Sequence, residues 1–157
     1  MRLLIIAVGR LKDGPERALV DRYAARLRSG VRTLGISGFD ILEIPESRAR
    51  DEATRKREEA AALQARIPTD ATVLLLDERG HPDTSRQFAG RLERARARGA
   101  AAVACVVGGP DGLDPAWKAE RVAFGRLTLP HQVVRALAAE QLYRATTILA
   151  GHPYHRD

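Results

Sequence analysis

The sequence predicts an α/β fold built on a mainly parallel sheet flanked by helices, and three observations carry that prediction. Four short apolar runs, at residues 3–8, 39–44, 73–76 and 101–107, are bounded by glycine, proline or charge. Longer stretches with helical spacing separate them, which is the alternation of βαβ units. Three of the runs are near-continuous, as strands covered on both faces tend to be.

Taken in order, the first run follows Met1 and Arg2 and leads to Gly9. A secretion signal fits it poorly. Its apolar part is at the short limit, and Arg10 and Lys12 stand where a small-residue cleavage site belongs. Residues 15–29 predict a helix with Leu19, Tyr23 and Leu27 at spacings of four and Pro15 in the first turn. The second run alternates, with Phe39, Ile41 and Leu42 against Asp40 and Glu43, as a half-buried strand does. Residues 51–66 predict a solvated helix, with Leu63 as its main apolar anchor and Arg and Glu paired along its surface. Residues 84–98 place Phe88, Leu92 and Ala95 on one stripe and direct Arg86, Arg91, Arg94, Arg96 and Arg98 elsewhere. Of the two charged helices, this is the better candidate for a nucleic-acid backbone. Residues 132–150 predict the longest helix, its apolar face formed by Val134, Leu137, Ala138, Leu142, Ala145, Ile148 and Leu149. Ala136, Ala139 and Tyr143 on its other side leave room for a second helix, including one from another subunit. No repeat or linker divides the chain, so one domain over 1–157 is expected.

A chain of 157 residues can bury a core without disulfides or metals. Aromatic residues make up only 4%, so aliphatic side chains must build that core. The single cysteine, Cys105, lies inside an apolar run and has no partner. This fits a reducing cytoplasm. No run approaches the roughly 18 apolar residues of a membrane span. The net charge of +6 favours a polyanionic partner, through counterion release. Only three of the 26 basic residues are lysine, so compositional drift toward arginine is the competing explanation.

Three segments can carry chemistry. Gly108-Gly109-Pro110-Asp111-Gly112-Leu113 directly follows the fourth run, and Asp114-Pro115 then predicts a capped helix start. In α/β proteins ligands gather at the carboxyl ends of strands, and glycines admit a ligand close to backbone amides. The spacing is neither G-x-G-x-x-G nor a phosphate loop, which argues against a dinucleotide or a triphosphate. A tight turn is the plain alternative. The second segment, Phe124-Gly125-Arg126-Leu127-Thr128-Leu129-Pro130-His131, joins a short helix to the long last one. The third is the tail, Gly151-His152-Pro153-Tyr154-His155-Arg156-Asp157, unusually rich in His, Tyr and Arg. His152 and His155 lack companions at zinc-ligand spacing, so no metal is expected. Nucleophile elbow, HExxH and paired-carboxylate signatures are absent.

Together these segments resemble the ribosomal large-subunit pseudouridine methyltransferase H family of the SPOUT superfamily. The most specific stretch runs Leu129-Pro130-His131-Gln132-Val133-Val134-Arg135, then Glu140-Gln141-Leu142-Tyr143-Arg144-Ala145, then His152-Pro153-Tyr154-His155-Arg156. Val107 to Leu113 and Ala7-Val8-Gly9-Arg10-Leu11-Lys12 agree, so the similarity runs end to end. Thr146, where the family often has an aromatic residue, and a long stretch between Gly30 and Gly38 depart from it. The resemblance implies a parallel sheet with a C-terminal trefoil knot, a homodimer with cofactor pockets beside the interface, and S-adenosylmethionine as cofactor. It implies 23S rRNA within the ribosome as partner, and methylation of N3 of a pseudouridine. Cofactor contacts would come from Leu76, Gly108, Gly109, Phe124, Gly125, Arg126, Leu127, Thr128 and Leu129. Tyr154, His155, Arg156 and Arg144 would serve the acceptor base, with His155 as general base or hydrogen-bond acceptor. Transfer RNA is the competing substrate, and a non-catalytic ribosome-binding protein is the competing class.

Overall fold

The computed structural model describes residues 1–30 and 34–156. Five strands and four helices follow in the order β1 (Arg2–Val8), α1 (Pro15–Gly30), β2 (Gly38–Ile44), α2 (Glu52–Gln64), β3 (Thr72–Pro82), α3 (Ser85–Ala97), β4 (Ala102–Val107), β5 (Glu120–Ala123) and α4 (His131–Leu149). The strands form one sheet in the order β2-β1-β4-β3-β5, with every pairing parallel.

Side chains of a strand alternate between faces, and β1 distributes them to two cores. Leu3, Ile5 and Ala7 meet α1, α3 and α4 through Ala24, Leu27, Phe88, Leu92, Ala138 and Leu142. Leu4, Ile6 and Val8 face the other way, toward Leu63 of α2. β1 and β4 are covered on both sides, which is why their sequences are almost unbroken apolar runs. Cys105 is fully buried in β4, and desolvation pushes its thiol up to about 12. We expect no reaction with a thiol reagent near pH 8 in the native protein and one equivalent in concentrated urea. Rapid native labelling would contradict this packing.

Several expectations are corrected. The buried stripe of α1 is Val20, Ala24 and Leu27, and Leu19 is 36% exposed. Smaller side chains face inward there and let α1 approach closely. Ala136 packs on Leu11 and Val20, and Ala139 enters the main core, so the close helix is α1 of the same chain. Arg91 is not solvated: its NH2 donates to Asp83 Oδ1 at 2.9 Å, and it also pairs with Glu120. Asp114 caps no helix. Its Oδ1 accepts from the Ala116 N–H at 2.9 Å, and the chain then extends into β5. The stretch between Gly30 and Gly38 falls in part outside the described residues.

β3 outruns its predicted end because it contains a bulge. Leu76 and His81 both stand in register with Val122, so residues 77–80 project from the ladder. A Cβ on Gly80 would lie 2.5 Å from the Val122 nitrogen, so no larger residue fits the base of this bulge.

Candidate functional site

A cavity of about 330 Å³ opens at the carboxyl ends of β3, β4 and β5, where α/β sheets bind ligands. Its walls include Leu76, Gly108, Gly109, Phe124, Gly125, Leu127, Thr128 and Leu129, with His131 and Val134 from the first turn of α4. Eight of the nine residues assigned to the cofactor therefore converge. Arg126 is the exception and does not line the cavity.

Each wall has a local cause. The loop after β4 closes through the Gly112 N–H donating to the Gly109 carbonyl at 2.9 Å, with Gly112 at φ +84°. α2 braces this loop. Arg55 Nε donates to Asp111 Oδ2 at 2.6 Å, which holds the Asp111 carboxyl below its usual range. Beneath the loop, Glu59 is only 5% exposed and accepts from the Ser47 N–H at 2.9 Å. Burial pushes its carboxyl upward, and the charges of Asp111 and Glu46 add to this. The segment after β5 is anchored by Phe124, edge-on to Phe88 at 6.1 Å between centroids. Leu127 is 76% exposed at the rim.

Sequence reasoning missed the third wall. Asp77, Glu78 and Arg79, the tip of the β3 bulge, also line the cavity. Asp77 accepts from the Arg79 backbone N–H at 2.9 Å and from its side chain at 3.2 Å, and also pairs with Arg121. Burial opposes ionisation of Asp77, but these partners outweigh it and keep its carboxyl below the ordinary range. The available signal was a polar Asp-Glu-Arg-Gly tetrapeptide immediately after an apolar run. His131 was named in a joining segment and in the stretch that carries the family resemblance, but was given no role. Burial lowers its pKa, the nearby Arg135 cation adds to this, and Glu46 opposes it.

The residues assigned to the acceptor base form a second cluster. Tyr154 packs edge-on against Tyr143 at 4.8 Å, donates to Glu140 Oε1 at 3.0 Å, and stands 3.2 Å from the Tyr23 hydroxyl. Burial raises its pKa, as do the bonds to Tyr23 and Glu140. Arg144 lies 4.9 Å above the Tyr154 ring, and its NH1 is 3.3 Å from His155 Nδ1. Arg156 is exposed nearby in the chain. None of these four lines the cavity of the same chain. Val134 and Arg144 stand ten residues apart on α4, roughly 15 Å at 1.5 Å per residue. Among the described residues no three His, Cys, Asp or Glu side chains gather as a metal site, and no helix is long and apolar enough to cross a membrane.

A glycine loop and the segment between β5 and α4 border one cavity at the strand ends, and the chain belongs to the SPOUT methyltransferase family. The family described as "Predicted SPOUT methyltransferase" matches residues 1–155. Membership carries with it the C-terminal trefoil knot that the resemblance implied. Among curated relatives, the "Ribosomal RNA large subunit methyltransferase H" of Bradyrhizobium sp. (strain ORS 278) is 57% identical, covering 99% of this chain and 98% of its own. The protein of the same name from Nitrobacter hamburgensis is 54% identical, covering 99% of both chains. That of Methylorubrum populi is 51% identical, over 99% of this chain and 97% of its own.

Proposed function

We propose that this chain, folded as one domain, transfers the methyl group of S-adenosylmethionine to N3 of a pseudouridine in 23S rRNA of the large ribosomal subunit. The supporting observation is the cavity, which gathers the loops that the family resemblance assigns to the cofactor. The names of its full-length relatives point to the same RNA.

The walls of the cavity support such a cofactor. A Cβ on Gly108 would run into the backbone of Gly112 and Leu113, so the closed shape of this wall depends on glycine. Leu76, the backbone of Gly108 and Gly109, and residues 124–129 hold the adenosine and methionine portions. When bound, the cofactor supplies a methyl group on a sulfonium, activated for in-line displacement. The protein's work is then alignment and proton management. Tyr154 stacks on the nucleotide, Arg144 and Arg156 contact phosphate or a base carbonyl, and His155 takes the N3 proton or accepts its hydrogen bond.

The separation of tail and cavity within one chain supports a homodimer in which a second copy brings its tail to the cavity. A cytoplasmic enzyme that works on ribosomes, without metal or membrane, is the corresponding setting.

Incubation with methyl-labelled S-adenosylmethionine and ribosomes lacking the modification, followed by nucleoside analysis, tests this reading. Label on N3 of a pseudouridine in large-subunit RNA is the expected result. Cofactor binding without label would redirect the search to other RNAs, and absence of cofactor binding would favour a non-catalytic ribosome-binding protein. The His155→Ala variant is expected to turn over about 10²-fold more slowly or worse. Wild-type turnover would remove His155 from the reaction.

A further inference from the structure

All three tyrosines of the chain, Tyr23, Tyr143 and Tyr154, meet where α1, α4 and the tail come together. The guanidinium of Arg26, on α1, lies 5.6 Å from the ring centroids of both Tyr23 and Tyr143. Two rings fix the direction of this long side chain without cancelling its charge. Arg26 is exposed, and among the described residues no carboxylate pairs with it. Arg144 differs. Its Nε and NH2 both donate to Glu140 Oε1, at 3.0 and 2.7 Å, so its charge is compensated.

A pre-oriented, uncommitted guanidinium beside an aromatic cluster suits a phosphate arriving from solvent. We propose that Arg26 anchors a backbone phosphate of the single-stranded RNA segment whose nucleotide the tail holds. This rests on the reading of the tail as the nucleotide-holding element. RNA is favoured over a second copy of the chain, because the uncompensated charge of Arg26 complements a polyanion. The net charge of +6 points the same way.

The test compares Arg26→Ala and Arg26→Lys with the unaltered protein. Binding of a labelled single-stranded RNA oligonucleotide and of unmodified ribosomes is measured across a salt series. Cofactor affinity and molar mass in solution are measured alongside. Arg26→Ala should lower the slope of log K against log salt by about 0.7, the value for one phosphate of a single strand. It should therefore lose about 2.6-fold less affinity than the unaltered protein between 50 and 200 mM salt. Arg26→Lys should keep the slope, and cofactor affinity should hold in both. An unchanged slope and affinity in Arg26→Ala overturns the proposal. So does a loss of RNA affinity accompanied by a fall in molar mass, which would assign Arg26 to a contact between copies. If ribosomes are not methylated but RNA binding still loses this much slope, the anchor stands and the reading of 23S rRNA as substrate falls. If label is incorporated and Arg26→Ala binds normally, the reverse holds.

Discussion

Gly108→Ala is expected to abolish measurable cofactor binding, a weakening of about 100-fold or more, equivalent to roughly 2.7 kcal/mol. The added Cβ would lie 2.8 Å from the Gly112 carbonyl carbon and 3.0 Å from both the Gly112 oxygen and the Leu113 nitrogen. All three are backbone atoms of the loop itself, so no side chain can swing aside to relieve the clash. The loop must open, and with it the wall between β4 and the cavity. Gly38→Ala is the matched control, because nothing lies within 4 Å of its added Cβ. Calorimetric titration with S-adenosylmethionine, with circular dichroism to confirm folding, checks both. If Gly108→Ala binds within threefold of the unaltered protein, this loop does not contact the cofactor.

Arg135→Met should cost the most stability, about 3 kcal/mol. For a chain of this length that lowers Tm by roughly 6–12 °C. Arg135 is 2% exposed, donates from NH1 to Glu43 Oε1 at 3.0 Å, and also donates to the carbonyl of Val8 at the end of β1. The same Glu43 oxygen accepts from the Leu11 N–H at 2.8 Å, so one carboxylate joins β2, the β1–α1 loop and α4. Burial lowers the Arg135 pKa while Glu43 and Glu46 oppose the fall, and a guanidinium stays charged under such a shift. Methionine matches the volume but leaves Glu43 with only the Leu11 N–H and removes the guanidinium from the Val8 carbonyl. Replacing Glu43 by leucine in the same chain should recover part of the loss, because no half-buried carboxylate is then left without its cation. Cofactor affinity should fall with the single change, since His131 and Val134 of the released turn line the cavity. A change in Tm below about 2 °C would show that desolvation already cancels the clamp.

The four apolar runs and the helices between them were legible because each is long or strongly patterned. β5 was not. Its Glu120 and Arg121 belong to an edge strand whose side chains pair with Arg91 and Asp77, so it offers no apolar run to read. The Asp114-Pro115 signal pointed to a helix, but Asp114 is satisfied locally by Ala116, and an Asx turn and an N-cap draw on the same chemistry. On α1 Leu27 is buried as expected, but the larger Leu19 and Tyr23 drew attention from the neighbouring Val20 and Ala24, which face the core. The glycine loop and the segment after β5 were readable as site walls. The bulge at 77–80 was not, because its cause is a register shift against a strand that was itself hidden. Arg26 carried no signal, since its partners lie at least a hundred residues away or depend on the turn of α1. The knot came from family resemblance alone, as the general expectation is an unknotted chain.

The position of α4 has a consequence for biosynthesis. This helix lies between α1 and α3 and supplies Ala138, Ala139, Leu142 and Ala145 to the same core as Leu3 and Ile5 of the first strand. It is also translated after every other element. Until it leaves the ribosome, the strip of that face between α1 and α3 stays open to solvent and Val8 waits for Arg135, its partner across 127 positions. Contacts so distant in sequence form slowly, and exposed apolar surface invites association in the meantime. The interval between the synthesis of its first strand and the arrival of its last helix is therefore when the nascent protein is most open to association.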